Sequence, residues 1–188
     1  MTGEAGHRAA HRVVVIGVGN EFRRDDGIGP EVLSRLREHL GAGPDAEAET
    51  VVQLVHSDGE PAGIVEAWTG ASLAVVVDAV VADPPAPGRL HRLATGQGAT
   101  GHGATGHGGP AGPREVSSHG LGLGEAIGLA EALGRMPDHL VIHAVEAADT
   151  GHGIGLTPAV SAAAGGLTAA VLRDVRAALG SGSVRSAP

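Results

Sequence analysis

Residues Val13 to Gly29 read VVVIGVGNEFRRDDGIG, and the parsing of this stretch decides the fold. Val13, Val14, Val15 and Ile16 form an unbroken β-branched run. A run without polar alternation suits a strand covered on both faces of a parallel sheet. Gly17, Gly19 and Asn20 follow, so the chain leaves the sheet through a turn that tolerates unusual backbone angles. Two adjacent carboxylates, Asp25 and Asp26, come next, and Gly27, Ile28, Gly29 and Pro30 open a helix. Strand, glycine turn, paired acids and helix start together set charge at the carboxyl end of a strand. Open α/β sheets bind ligands there.

The stretch has two other readings. A G-x-G after a first strand is shared with dinucleotide sites, but the third glycine of that fingerprint is missing, and the nearest acid, Glu49, precedes the second strand instead of ending it. A carboxylate at a helix start is also favoured by orphan amides and the helix dipole. One of the two acids is therefore expected only to support the helix start, Asp25 if Asp26 is the ligand.

Outward from this stretch, residues 1–11 read as a disordered leader and Arg12–Gly17 as the first strand. A helix over Gly29–Leu40 places Ile28, Val32, Leu33, Leu36 and Leu40 on one stripe. After a linker at 41–48, Thr50–Val55 is a second strand, and Pro61 enters the first turn of a helix that ends at Gly70. Leu73–Val77 is wholly apolar, hence a central strand, and it ends in Asp78. Arg89–Leu93 alternates and suits a more exposed strand.

Residues 98–113 are low complexity, with the unit GATGH at 98–102 and again at 103–107. Such a segment buries too little apolar surface to order itself, so it reads as a mobile, solvated insert, with metal scavenging by His102 and His107 as the other reading. Ser117, Ser118 and His119 precede a helix through Leu123, Ile127, Ala130 and Leu133, which either serine could cap. His139–Val145 is a fifth strand, and the 146–156 loop returns to the same sheet edge. Thr157–Pro158 then starts a last helix that buries Val160, Ala164, Leu167, Val171, Val175 and Leu179, before a frayed tail at 181–188. Strands alternating with helices predict one domain over 1–188, a three-layer α/β/α sandwich around a mostly parallel five-stranded sheet.

Composition narrows the function classes. The formal net charge is −8, and the 13 basic residues are all Arg, with no cluster larger than Arg23–Arg24. A nucleic-acid partner is not indicated. The absence of cysteine removes a thiol nucleophile, a thiolate metal site and any disulfide framework. The first residues lack the apolar core of a signal peptide, and the apolar run Leu73–Val77 is far too short to span a bilayer. The expectation is a soluble cytoplasmic protein without a membrane partner, acting as a monomer. With one Phe and one Trp, the core must be built from Val, Leu, Ile and Ala.

Three residues fall at equivalent places in this scheme: Asp26 after strand one, Asp78 at the end of strand three, and His119 at the start of the helix after strand four. Two carboxylates and an imidazole suit a borderline divalent ion such as zinc or nickel, with positions left for water or substrate. An apolar strand ending in Asp is the sharpest hint, because a buried carboxylate needs a partner or a metal. A structural cap is the other reading. A Ser–His–Asp hydrolase built on Ser117 or Ser118 lacks the G-x-S-x-G elbow.

The motifs resemble those of the hydrogenase maturation proteases, which trim the large-subunit precursor of nickel–iron hydrogenases. The resemblance rests on four ordered blocks: GVGNEFRRDDGIG, VVVDAV around Asp78, SSHGLGL around His119, and GIGLTPAV at 153–160. It covers about residues 12–180. It implies a twisted five-stranded sheet between helices, and it makes Asp26, Asp78 and His119 both the catalytic residues and the metal contacts. It implies cleavage of a C-terminal extension after nickel insertion, with the precursor's own nickel as the recognition signal. Zinc or another divalent ion is an alternative occupant. Whether the ion also activates water stays open. The GATGH insert departs from the family pattern and stands just before the His119 block. Two alternatives stand beside it: a metal-binding or nickel-handling accessory protein without peptidase activity, and a peptidyl-tRNA hydrolase-like enzyme, which also opens G-x-G-N but should be basic.

Overall fold

The computed structural model describes residues 12–41, 52–96, 114–115 and 120–183. The β-branched run becomes β1 (Val13–Val18), buried along its whole length. A short 3-10 helix (Arg24–Gly27) leads into α1 (Ile28–Gly41). The chain continues through β2 (Val52–Ser57), α2 (Pro61–Trp68), β3 (Leu73–Val80), β4 (Ala82–Asp83), β5 (Leu90–Gly96) and β6 (Arg114–Glu115). It ends with α3 (Gly120–Leu133), β7 (His139–Glu146) and α4 (Pro158–Ser183).

The main sheet has the order β2-β1-β3-β7-β5. The first four strands are parallel, and β5 pairs antiparallel with β7 at the edge. The period of two along each strand sorts side chains to opposite faces. Val13, Val15, Val75, Val77, Val141 and Val145 pack against Ile28, Val32, Leu36, Leu167 and Val171 of α1 and α4. Val14, Ile16, Ala74, Val76 and Leu140 pack against Ile64, Val65 and Trp68 of α2 and Leu123, Ala126 and Ala130 of α3. Each Val, Leu or Ile among them contributes about 1.5–3 kcal/mol when fully buried. These two apolar seams make the three-layer α/β/α sandwich expected from the sequence.

Several boundaries differ from the sequence reading. The start of α2 is capped by the Glu60 carboxylate, which accepts from Ala62 N–H at 3.1 Å and Gly63 N–H at 2.7 Å. The helix ends at Trp68, two residues early. α4 runs through Ser183, so the tail expected to fray at 181 begins as helix. At the end of α3 Leu133 is 54% exposed, while Ala126 of the same helix is fully buried. The pair β4 and β6, a small antiparallel ribbon, had no alternation to reveal it. The leader at 1–11, residues 42–51, the GATGH insert within 97–113, residues 116–119 and the last five residues lie outside the described residues.

Candidate active site

β1 lies between β2 and β3, and the chain runs to β2 through α1 on one face and crosses to β3 through α2 on the other. This is the topological switch point, where diverging loops open a crevice at the carboxyl ends of the strands. Asp26 sits there on the 3-10 turn after β1, 1% exposed. Its Oδ2 accepts the Asn20 N–H at 2.9 Å. Gly19 holds φ at 124°, and a Cβ there would collide with the Asp26 carbonyl. The glycine turn thus folds the acid back over the strand end.

Asp78 reaches the same edge from β3. Gly17 pairs with Val77, so Asp78 is the next residue beyond that pair. It is 2% exposed, and its Oδ1 accepts the Ala79 N–H at 2.8 Å. The strand does not stop at this acid as expected. Pairing with β7 carries β3 on through Asp78↔Ala144, Ala79↔Val145 and Val80↔Glu146. The structure therefore places two of the three expected site residues, both buried, at neighbouring strand ends. The third, His119, lies outside the described residues. The described first turn of α3 stands at this edge too, since a Cβ on Gly122 would strike the Gly59 carbonyl just after β2. Among the described residues no three His, Cys, Asp or Glu gather as a metal site.

Asp25 has a different task from the one expected of it. It is fully buried and does not cap α1. Its Oδ2 accepts from Ala148 N–H at 2.8 Å, Asp149 N–H at 3.0 Å and the Thr157 hydroxyl at 2.9 Å. Its Oδ1 accepts the Thr157 N–H at 2.6 Å. Asp25 is thus a knot between the first loop and the 147–157 loop. Main-chain bonds continue the lacing: Gly153 N–H to Phe22 O at 2.9 Å, Arg24 N–H to Gly153 O at 2.9 Å, and Asp25 N–H to Asp149 O at 3.1 Å.

Glu146, the last residue of β7, is a group that the sequence reading missed as a feature of this edge. It is completely buried. Its carboxylate meets Ala86 N–H at 2.6 Å and His91 Nε2 at 2.8 Å, with Arg89 at 3.6 Å. Burial pushes its carboxyl up, but the His91 and Ala86 hydrogen bonds and the charges of Arg89 and His91 outweigh that and hold it below the usual range. It pins the 84–90 connection and offers no open coordination. The signal was present: HLVIHAVE is a mostly apolar strand ending in an acid, the pattern that singled out Asp78.

Two of the cavities among the described residues bear on where the site lies. One, about 270 Å³, lies beside the laced loops and is lined by Arg24, Pro30, Ile154 and Leu156. The other, about 680 Å³, lies at the amino ends of β3 and β7, between Leu73, Arg92, His139 and Asp174. The larger one is at the wrong end of the sheet for the buried acids, so size does not locate the site.

The fold is an open α/β sandwich, and solved structures share that fold. No family model and no curated protein matches the chain. The hydrogenase maturating endopeptidase HybD from E. coli matches with a TM-score of 0.66 at 23% identity, over 88% of this chain and 92% of that one. An endopeptidase from Escherichia coli in solution gives 0.67 at 22% identity, over 94% and 97%. The [NiFe] hydrogenase maturation protease HybD from Thermococcus kodakarensis gives 0.63 at 18% identity, over 86% and 97%. The likeness is one of fold across nearly the whole of each chain.

Proposed function

We propose that this chain is an endopeptidase that removes the C-terminal extension of a nickel–iron hydrogenase large-subunit precursor after nickel insertion. The observation that carries the reading is the pair of buried carboxylates, Asp26 and Asp78, at the switch point. It is supported by the four motif blocks and by a fold shared with maturation endopeptidases. Burying a carboxylate is costly unless a cation or donors compensate. A donor set of Asp26, Asp78 and His119 fits a borderline divalent ion.

On this reading the nickel is the precursor's own, and the three side chains would hold it as part of the substrate. Such an ion supplies Lewis acidity toward a nearby carbonyl. The chain's own residues orient the encounter. The Asn20 N–H fixes one Asp26 oxygen and the Ala79 N–H fixes one Asp78 oxygen. The reaction adds water across one peptide bond, leaving a new carboxylate and a free amine. The protein acts in the cytoplasm as a monomer. No helix among the described residues is long and apolar enough to cross a membrane.

The test is mass spectrometry of nickel-loaded and nickel-free precursor after incubation with the protein. Loss of the tail from the nickel-loaded form alone is expected. Binding without cutting would favour the accessory-protein reading. Cutting of the nickel-free form would refute recognition through the metal.

A further inference from the structure

Phe22 is 59% exposed and Ile154 is 82% exposed. In a chain with a single phenylalanine, that residue stands in water while valines and leucines fill the core. Single exposed apolar residues are ordinary. These two are set apart by their support. Phe22 O accepts from Gly153 N–H, the residue before Ile154, and Arg24 N–H returns to Gly153 O. Arg23 Nε donates to Thr150 O at 3.2 Å, and the buried Asp25 knot lies beneath. A slack loop would fold such tips inward. Here the lacing displays both, an arrangement that lowers the ordering cost of binding a partner.

The neighbourhood specifies the occupant. Phe22 and Asp26 belong to one short segment, four positions apart. A polypeptide whose cleaved bond lies at Asp26 spans about 3.3 Å per extended residue, so a few residues bring it over Phe22. The cavity of about 270 Å³ beside Ile154 extends the same surface along α1. Its polar rim, Glu21, Arg24 and Glu31, mixes both signs of charge, which does not suit nucleic acid or an anionic membrane.

We infer that Phe22 and Ile154 form a docking surface for an extended segment of the precursor that carries a large apolar side chain within a few residues of the scissile bond. This inference rests on the endopeptidase reading. The test compares wild type, Phe22→Ser with Ile154→Ser, and a control, Leu133→Ser. Leu133 is 54% exposed at the far end of α3, about 20 Å from that helix's first turn. Steady-state processing of nickel-loaded precursor and the melting temperature are measured for each. The double variant should keep the wild-type melting temperature and raise KM roughly ten- to a hundredfold, the range set by burying one or two apolar side chains. The control should keep KM. A wild type that cuts, with a double variant of unchanged KM or with a fall in kcat alone, overturns the docking surface and leaves the endopeptidase reading standing. A wild type that leaves the nickel-loaded precursor uncut overturns both.

Discussion

The Asp25 carboxylate accepts the main-chain N–H of Thr157 at 2.6 Å and its hydroxyl at 2.9 Å, across 132 positions of sequence. With Ala148 and Asp149 added, one buried side chain satisfies four donors. Charged hydrogen bonds of this kind are each worth about 1.5–3 kcal/mol, and orphaned buried donors add to the loss. Asp25→Ala should therefore cost about 3–5 kcal/mol, a fall in melting temperature on the order of 10 °C. Asp25→Asn, which turns an NH₂ toward donors, should cost about 2 kcal/mol. Thermal unfolding of both variants checks this, and melting within about a degree of wild type would contradict it.

The metal reading gives a binding test apart from processing. Asp78 and Asp26 would supply two of three oxygen or nitrogen donors, with no thiolate available to tighten the site. Weak binding of a divalent ion to wild type is expected, and loss of about tenfold or more in Asp78→Ala. Asp26→Asn should behave alike, because the amide keeps shape but not charge. Calorimetric titration with nickel decides. Identical isotherms for wild type and Asp78→Ala would remove Asp78 from the site.

Glycines divide into those that matter and those that do not. A Cβ on Gly29 would run into the main chain of Val18, where α1 starts hard against the end of β1. Gly128, exposed in α3, has nothing within 4 Å of the same position. Gly29→Ala should destabilise by about 3 kcal/mol or more through forced separation of helix and strand. Gly128→Ala should stabilise by about 0.5–1 kcal/mol through helix propensity. Denaturant midpoints for the two variants should move in opposite directions.

Acid should weaken the fold through a particular pair of carboxyls. Partial burial pushes the Asp174 carboxyl up, but hydrogen bonds from Arg92 and His143 outweigh it and hold it below its ordinary 3.8. Glu146 is likewise held below 4.5. A depressed carboxyl binds its proton less readily in the folded state, so its contribution is whole above the unfolded value and is lost as pH falls through the folded one. Denaturant midpoints should therefore hold down to about pH 5 and drop below about pH 4. Arg92→Leu, removing the 2.8 Å and 3.1 Å bonds to Asp174, should start lower and show a shallower acid drop. A slope as steep as that of wild type would exclude Asp174 from the effect.

Much of the architecture was legible because period and punctuation agree. VVVI and LAVVV could hardly be anything but doubly covered strands, and the stripes of α1 and α4 map directly onto the buried seam. Asp78 could be picked out as an acid abutting an apolar strand, and Asp26 as one of two acids in the loop after the first strand. What stayed hidden was long-range. Nothing in the DD pair says which acid faces the crevice and which reaches Thr157, since adjacent residues differ only in direction. Glu146 carried the same strand-end signal as Asp78, and only its partners, Ala86 and His91, reveal it as a pin. The exposure of Phe22 was equally unreadable, because an apolar residue in a loop is equally consistent with packing inward.

The Asp25 knot also sets an order on the birth of the protein. During synthesis the first loop leaves the ribosome long before Ala148, Asp149 and Thr157, its three partners, exist. Until they emerge, Phe22 and Asp26 have no fixed frame. A nascent or truncated chain that stops short of the last helix therefore carries the chemical groups without the geometry, and competence arrives only with the final quarter of translation.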